Sequence, residues 1–241
     1  MTVKEHYDNH LAGFYSWMLG DFDTAKNRFK DYCILNKIKP IESGLAVDLG
    51  AGNGIQSIAL AEIGFKVSAI DFNDKLLSEL GTKINNNPIK IISDNIINLK
   101  TILNEQLVDL IVCCGDTISH LDTFDELRSL LQDCYNSLIR KGNLILTFRD
   151  YSVELKDTQR FIPVRSDADR ILTCVIDYSD NKVNVTDLLL EKEDGMWKQK
   201  VSSYKKLRIT TDLLIDISQT IGFSVIENNI TNRMVHLILQ K

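Results

Sequence analysis

Proline is scarce in this sequence, three in 241 residues, and no Ser/Gly-rich stretch accompanies it. A flexible linker between two domains therefore has no place to sit. Cysteine is too sparse and too irregular to staple the chain. Cys33, Cys113, Cys114, Cys134 and Cys174 are odd in number and form neither a CxxC pair nor Cys/His ligand spacing, which argues against a disulfide framework or a metal site. They are expected reduced and buried, where a thiol behaves as a small hydrophobe. Long apolar runs are missing too. None reaches the length that spans a bilayer, and Met1–His10 is polar where a signal peptide would be apolar. Basic residues are not in excess, since 28 Lys and Arg stand against 33 Asp and Glu for a net charge of −5. Such a chain repels phosphate, which excludes a broad nucleic-acid footprint. The expectation is a soluble, cytoplasmic protein with neither nucleic acid nor membrane as a partner.

What is present is ordinary for a globular domain, with 44% hydrophobic and 25% charged residues and a mean hydropathy of −0.08. A chain of 241 residues is enough for one α/β domain and buries about three quarters of its unfolded surface. The first forty residues read as helical, ending near Pro40. From Leu45 short apolar runs alternate with amphipathic segments. Strands are expected at Leu45–Leu49, Phe65–Asp71, Ile89–Ser93, Val108–Cys114 and Asn143–Phe148. Helices are expected over Ile55–Ile63, around Leu76, Leu77 and Leu80 with Asn73 or Asp74 as cap, and from about Asp122 to Leu138. That alternation predicts a doubly wound, mainly parallel seven-stranded sheet.

After Arg149 the rhythm changes. Arg170–Tyr178, Lys182–Lys192 and Trp197–Arg208 read as strands, the last two joined by an Asp194-Gly195 hairpin turn. A helix starts near Thr210 or Thr211 and stops at Gly222. Phe223–Asn228 and Met234–Gln240 then lie too close for a helical crossover, so they are antiparallel neighbours or partners of different strands. One domain over 1–241 is expected: a helical cap (1–43), a core (44–150), a small antiparallel insertion after strand five (151–208), and an antiparallel C-terminal completion of the sheet (209–241).

The chemistry concentrates where the first strand meets the first helix, at Val47-Asp48-Leu49-Gly50-Ala51-Gly52-Asn53-Gly54. In open α/β sheets ligands bind at the carboxyl ends of strands. Counting from Gly50, the third glycine of a GxGxxG dinucleotide fingerprint would fall on Ile55, so that cofactor class does not fit. DxGxGxG suits a ligand whose amino-acid portion lies beside the loop. Asp71 ends the second strand and can accept both hydroxyls of a ribose, and Phe72 can pack on an adenine face. Asp94-Asn95 follow the third strand, where a carboxylate and a backbone N–H can meet the adenine edge.

These segments resemble the class I S-adenosylmethionine-dependent methyltransferases. Within them, Trp17-Met18-Leu19-Gly20-Asp21, Gly52-Asn53-Gly54-Ile55-Gln56-Ser57-Ile58, Gly64-Phe65-Lys66-Val67, Gly115-Asp116-Thr117-Ile118-Ser119-His120-Leu121 and Phe148-Arg149-Asp150-Tyr151 are similar to stretches of glycine and sarcosine N-methyltransferases. The resemblance implies a Rossmann-like methyltransferase fold and S-adenosylmethionine as cofactor, with no metal. It implies a cofactor set of Trp17, Asp48, Gly50, Ala51, Gly52, Gly54, Asp71, Phe72, Asp94, Asn95, Cys114 and Gly115. The resembling enzymes place an arginine shortly after Gly-Asp, where this chain has Ala25 and Lys26, and an Asn at Asp116. Those departures bear on the acceptor and leave the fold and cofactor as implied.

For the acceptor, the expected pocket lies above the carboxyl ends of strands four and five, with the inserted strands over its mouth. Asp116, with His120 second, is the candidate proton acceptor. Arg149 can hold a substrate carboxylate, against an equal reading as a surface ion pair. Tyr204 can reach inward from the insertion. Tyr7, Tyr15 and Trp17 are expected in a lid over the cofactor, Tyr7 and Tyr15 beside the acceptor. His6 and His10 have helical spacing but lack a third ligand. Lys205-Lys206-Leu207-Arg208 reads as a solvated face. The function expected is methyl transfer to a small polar molecule, an amine or amino acid-like acceptor. The alternatives are a small-metabolite O-methyltransferase, a non-catalytic sensor of S-adenosylmethionine or S-adenosylhomocysteine, and a nucleic-acid or protein methyltransferase.

Overall fold

The computed structural model describes residues 1–231 and 233–241. Two short helices, α1 (Val3–Asn9) and α2 (Tyr15–Leu19), precede the longer α3 (Phe22–Leu35). The alternating region follows as β1 (Leu45–Leu49), α4 (Ile55–Glu62), β2 (Lys66–Asp71), α5 (Asp74–Gly81), β3 (Ile89–Ser93), α6 (Leu99–Leu103), β4 (Val108–Cys113), α7 (Phe124–Ser137) and β5 (Leu138–Phe148). The insertion contains β6 (Phe161–Ser166), β7 (Arg170–Tyr178), β8 (Lys182–Glu193) and β9 (Met196–Leu207). The chain closes with α8 (Thr211–Ile221), β10 (Ser224–Thr231) and β11 (Met234–Gln240).

Seven strands form one sheet in the order β10-β11-β5-β4-β1-β2-β3. The pairs from β5 through β3 are parallel, and β11 joins β5 antiparallel. β10 pairs with β11, which settles the two final strands as antiparallel neighbours. Successive side chains of a strand point to opposite faces. Val47 and Leu49 of β1 accordingly pack with Leu127, Leu131, Leu214 and Ile217 from α7 and α8. Ala46 packs with Phe29, Cys33, Ala59 and Leu60 from α3 and α4. The chain runs outward from β1 to β3 and then returns to β4 on the other side, so the crevice where the order reverses opens at the carboxyl end of β1.

Two expectations are corrected. The insertion has four strands, in the order β6-β7-β8-β9. β6 escapes a sequence reading because Pro163 sits inside it, and proline is tolerated only at an edge, beside a bulge. That is its situation, with a register shift between Pro163 and Arg165. β5 begins at Leu138, ahead of Asn143, because the left-handed Lys141 (φ 67°) and a register shift between Val108 and Leu110 let the ladder with β4 start early.

Entry into β1 is fixed by Asp109, buried on β4. Its carboxylate accepts from the backbone N–H of Ile41 (2.7 Å), Ser43 (2.8 Å) and Gly44 (2.9 Å) and from Ser43 Oγ (2.8 Å). Burial pushes this carboxyl up, but the donated hydrogen bonds outweigh it and hold it below the ordinary range. A lowered carboxyl contributes stability above its unfolded pKa and loses it as pH falls through the folded value. Asp109→Ala should therefore cost about 2–4 kcal/mol in urea denaturation at pH 7, with a gap to wild type that narrows on acidification.

Candidate functional site

The loop after β1 folds back on β2: Gly50 and Ala51 both donate to the Ile70 carbonyl, at 2.8 and 3.0 Å. Its three glycines serve different ends. A Cβ on Gly50 would lie 2.4 Å from Thr117 Cγ2, and one on Gly54 2.2 Å from Leu80 Cδ1. Packing forbids a side chain at both. At Gly52 a Cβ would stand 3.5 Å from the Tyr15 ring, so what confines it is its left-handed φ of 52° and whatever lies against it. Asp71 ties this loop to the end of β2, accepting from Gly52 N–H at 2.9 Å and Asn73 N–H at 2.8 Å. Burial raises its carboxyl, opposed by those bonds.

A cavity of about 440 Å³ opens above these groups. Gly50, Gly52, Asp71, Phe72, Asp94 and Asn95 line it from the strand ends, with Ile96 and Ile97 beyond them. Asp94 accepts from Asn95 N–H and Asn98 Nδ2, both at 2.7 Å, which holds its carboxylate in place. Thr2, Val3, Lys4 and Tyr7 of the N-terminal helix and Tyr15 close the opposite side. Thr117, His120, Leu121, Asp122 and Glu126 complete the lining. The His120 ring meets those of Tyr7 and Tyr204 edge-on at 5.6 and 5.8 Å, and its Nε2 is buried without a hydrogen-bond partner among the described residues. Burial, then the Lys206 charge, push its pKa down to about 3, so the imidazole is neutral near pH 7.

Several expected residues do not reach the cavity. Asp48 is 1% exposed and accepts from Ser57 Oγ at 2.6 Å, beneath the loop. Burial raises its carboxyl to about 7. Ala51 and Gly54 act through packing, as core and helix start. Cys114 is a core thiol whose carbonyl accepts from Thr117 Oγ1 at 2.8 Å, and Gly115 N–H donates to Thr147 Oγ1 at 2.8 Å. Trp17 turns to the insertion, donating from Nε1 to Asp167 between the guanidinium groups of Arg165 and Arg170, 5.6 and 5.8 Å from its ring.

Asp116 is corrected most. Its carboxylate accepts from Arg149 N–H at 3.0 Å, Tyr151 O–H at 3.1 Å and Lys206 Nζ at 2.7 Å. Burial raises it, but Lys206 and the other donors carry it below its ordinary range, so it is a poor proton acceptor. Lys206 is itself 8% exposed, which overturns its reading as a solvated residue. Tyr204 is buried and stacked on His6 instead of lining the cavity wall. Arg149 is half-buried, with no ion pair among the described residues. Sequence reasoning missed Lys206, Tyr151, His6 and Asp187, each placed by partners far along the chain. Thr2, Val3 and Lys4 carry no signal beyond the Thr2 helix cap. No group of three or more metal-ligating side chains exists among the described residues.

Residues 46–142 match a family described as a methyltransferase domain. The glycine/sarcosine N-methyltransferase of Aphanothece halophytica is 24% identical over 158 residues, covering 64% of this chain and 59% of that protein. The ribosomal protein L11 methyltransferase of Campylobacter concisus is 30% identical over 165 residues, covering 65% and 55%. This chain thus spans little more than half the length of either relative. Among solved structures, an S-adenosylmethionine-dependent methyltransferase from Clostridium acetobutylicum superposes with a TM-score of 0.72 at 16% identity, covering 97% of this chain and 95% of that one.

Proposed function

We propose, for a chain that belongs with the class I S-adenosylmethionine-dependent methyltransferases, that it methylates an amine nitrogen of a small, carboxylate-bearing acceptor. The observation that carries this reading is the roofed cavity of about 440 Å³. That is near the lower end of the ~300–1,000 Å³ typical of ligand sites. A nucleoside cofactor would take most of it, which leaves room for a small acceptor.

The residues present fit the cofactor. Asp71 offers the ribose a carboxylate already oriented by two backbone N–H groups, and Gly52 keeps a cradle that a side chain would fill. Asp94, Asn95 and Phe72 stand where the base would lie. When bound, S-adenosylmethionine supplies the methyl on an already activated sulfonium. The protein's part is to align the acceptor and exclude water, which is worth several kcal/mol.

A hydroxyl acceptor needs a general base, whereas a neutral amine does not. A histidine kept neutral and an aspartate engaged by three donors favour nitrogen. One His120 ring nitrogen can accept from the amine N–H and so aim its lone pair. Burial of the amine favours its uncharged form. Asp116 is paired with the Lys206 ammonium and bonded by the Arg149 backbone N–H, and the Arg149 charge is close enough to oppose that on Lys206. The excess positive charge suits an acceptor carboxylate.

The test is a screen of small amines and amino acids with radiolabelled cofactor, followed by Arg149→Ala on the acceptor found. KM should rise about 10- to 100-fold, with kcat and S-adenosylhomocysteine affinity little changed. An acceptor without an anionic group, or an unchanged KM, would overturn this reading.

A further inference from the structure

A second buried polar cluster joins α1 to the inserted sheet. His6 is 0% exposed. Its Nδ1 lies 2.8 Å from Ser202 Oγ on β9, and its Nε2 3.1 Å from Asp187 Oδ2 on β8. Its ring stacks on Tyr204 with 4.1 Å between centroids and 23° between planes. Asp187 also accepts from Cys174 Sγ on β7 at 3.0 Å. Serine, histidine and aspartate in mutual contact have the composition of a hydrolytic triad, but with His6 0% and Ser202 6% exposed a substrate has no access to them. The cluster is a tie between two parts of the chain.

The same helix also faces the cofactor cleft. Thr2, Lys4 and Tyr7 line the cavity, and Asn73 Nδ2 donates to Asp8 Oδ1 at 2.8 Å. α1 has seven residues, and a helix that short does not persist in water on its own. It is held by docking on both sides. Lifting it would strip Asp187 and Ser202 of a partner and uncover one face of Tyr204. Buried polar groups left unpaired are costly, a carboxylate most of all. Without α1, strands β8 and β9 lose these hydrogen bonds and the stacking on Tyr204.

We propose that α1 makes covering of the cofactor and ordering of the inserted sheet a single event, with His6 as the positioning residue that ties α1 to Asp187, Ser202 and Tyr204. This rests on the methyltransferase reading above. A ligand filling the cleft beneath Tyr7 holds α1 down, and α1 carries His6 into the inserted sheet. The cofactor cleft and the inserted sheet are thereby coupled, and the coupling is reciprocal.

The test is hydrogen exchange on the full chain, with and without S-adenosylhomocysteine, in wild type and His6→Ala, alongside calorimetry. In wild type the ligand should slow exchange in α1 and in the β8 and β9 peptides around Asp187 and Ser202 by about tenfold or more. His6→Ala should still bind it and still show slowing in the loop of residues 50–54, while slowing in β8 and β9 drops below about twofold. His6→Gln can still donate toward Asp187 and should give an intermediate slowing. It carries the comparison where His6→Ala does not fold. A merely structural histidine would raise exchange in the insertion by the same factor with and without ligand. Equal ligand-dependent slowing in wild type and His6→Ala overturns this proposal and leaves the cofactor reading standing. A wild type that binds no S-adenosylhomocysteine overturns both.

Discussion

Asp71→Ala should weaken S-adenosylhomocysteine binding by about a hundredfold or more, close to 3 kcal/mol, measured by calorimetry. Two losses add. The ribose loses a charged acceptor, and the N–H groups of Gly52 and Asn73 lose the carboxylate that draws the glycine loop toward β2. The second loss also destabilises the fold by about 1–3 kcal/mol, since both donors lie in a buried setting. Gly52→Val provides the contrast. Its Cβ would come nearest the Tyr15 ring, at 3.5 Å, so its cost to the fold comes from a φ of 52° and not from a collision. A β-branched residue resists that conformation, and its methyl groups enter the cavity. Binding should be abolished with a smaller loss of melting temperature than a side chain at Gly54 would cause, where Leu80 stands 2.2 Å away. Near wild-type affinity in both Asp71→Ala and Gly52→Val would remove the cofactor assignment.

In the sequence, Gly50, Gly52 and Gly54 carry one message, a loop that tolerates no side chains. Only the structure separates Gly50 and Gly54, which answer to Thr117 and Leu80, from Gly52, which lines the cavity with no such neighbour pressed against it. The difference explains what is legible and what is not. Strand and helix positions are local properties of apolar spacing and turn residues. The Asp194-Gly195 turn, with φ of 53° and 78°, is where a two-residue hairpin requires it. Asp71, Asp94 and Asn95 are legible because a βα unit delivers the residue after a parallel strand to the crevice. Asp48 obeys the same local rule yet points inward, to Ser57, because alternation along β1 assigns its side chain to the interior. Lys206 is the plainest failure. Three basic residues in four, Lys205 to Arg208, read as a solvated face, but strand alternation sends Lys206 inward to a carboxylate 90 positions away. Nothing within the run announces that partner.

Lys206→Met should therefore be among the most destabilising single substitutions, by about 3–5 kcal/mol at neutral pH, the usual cost of removing one partner of a buried pair. Its ammonium meets Asp116 at 2.7 Å with the two side chains 10% and 3% exposed. The sign of the pH dependence follows from the two partners. Burial pushes Asp116 up, but the Lys206 charge and hydrogen bond carry it below its ordinary range. It therefore contributes stability above its unfolded pKa and loses it as pH falls through the folded value. Burial pushes Lys206 down, but the Asp116 charge carries it above its ordinary range. Its contribution is complete below the unfolded lysine pKa and is lost as pH rises through the folded one. The pair thus holds across the neutral range and weakens at both ends. Without the ammonium, burial governs Asp116 and its carboxyl rises. On acidification the variant protonates there before wild type does, and it has less left to lose. Urea denaturation should show the gap widest near pH 7 and closing toward the carboxylate range. A gap below about 1 kcal/mol, the scale of a surface pair, or one constant with pH would show that this contact does not tie the loop after β4 to the insertion. Loosening that loop also moves Thr117, which abuts Gly50, so S-adenosylhomocysteine affinity should fall with stability even though Lys206 does not line the cavity.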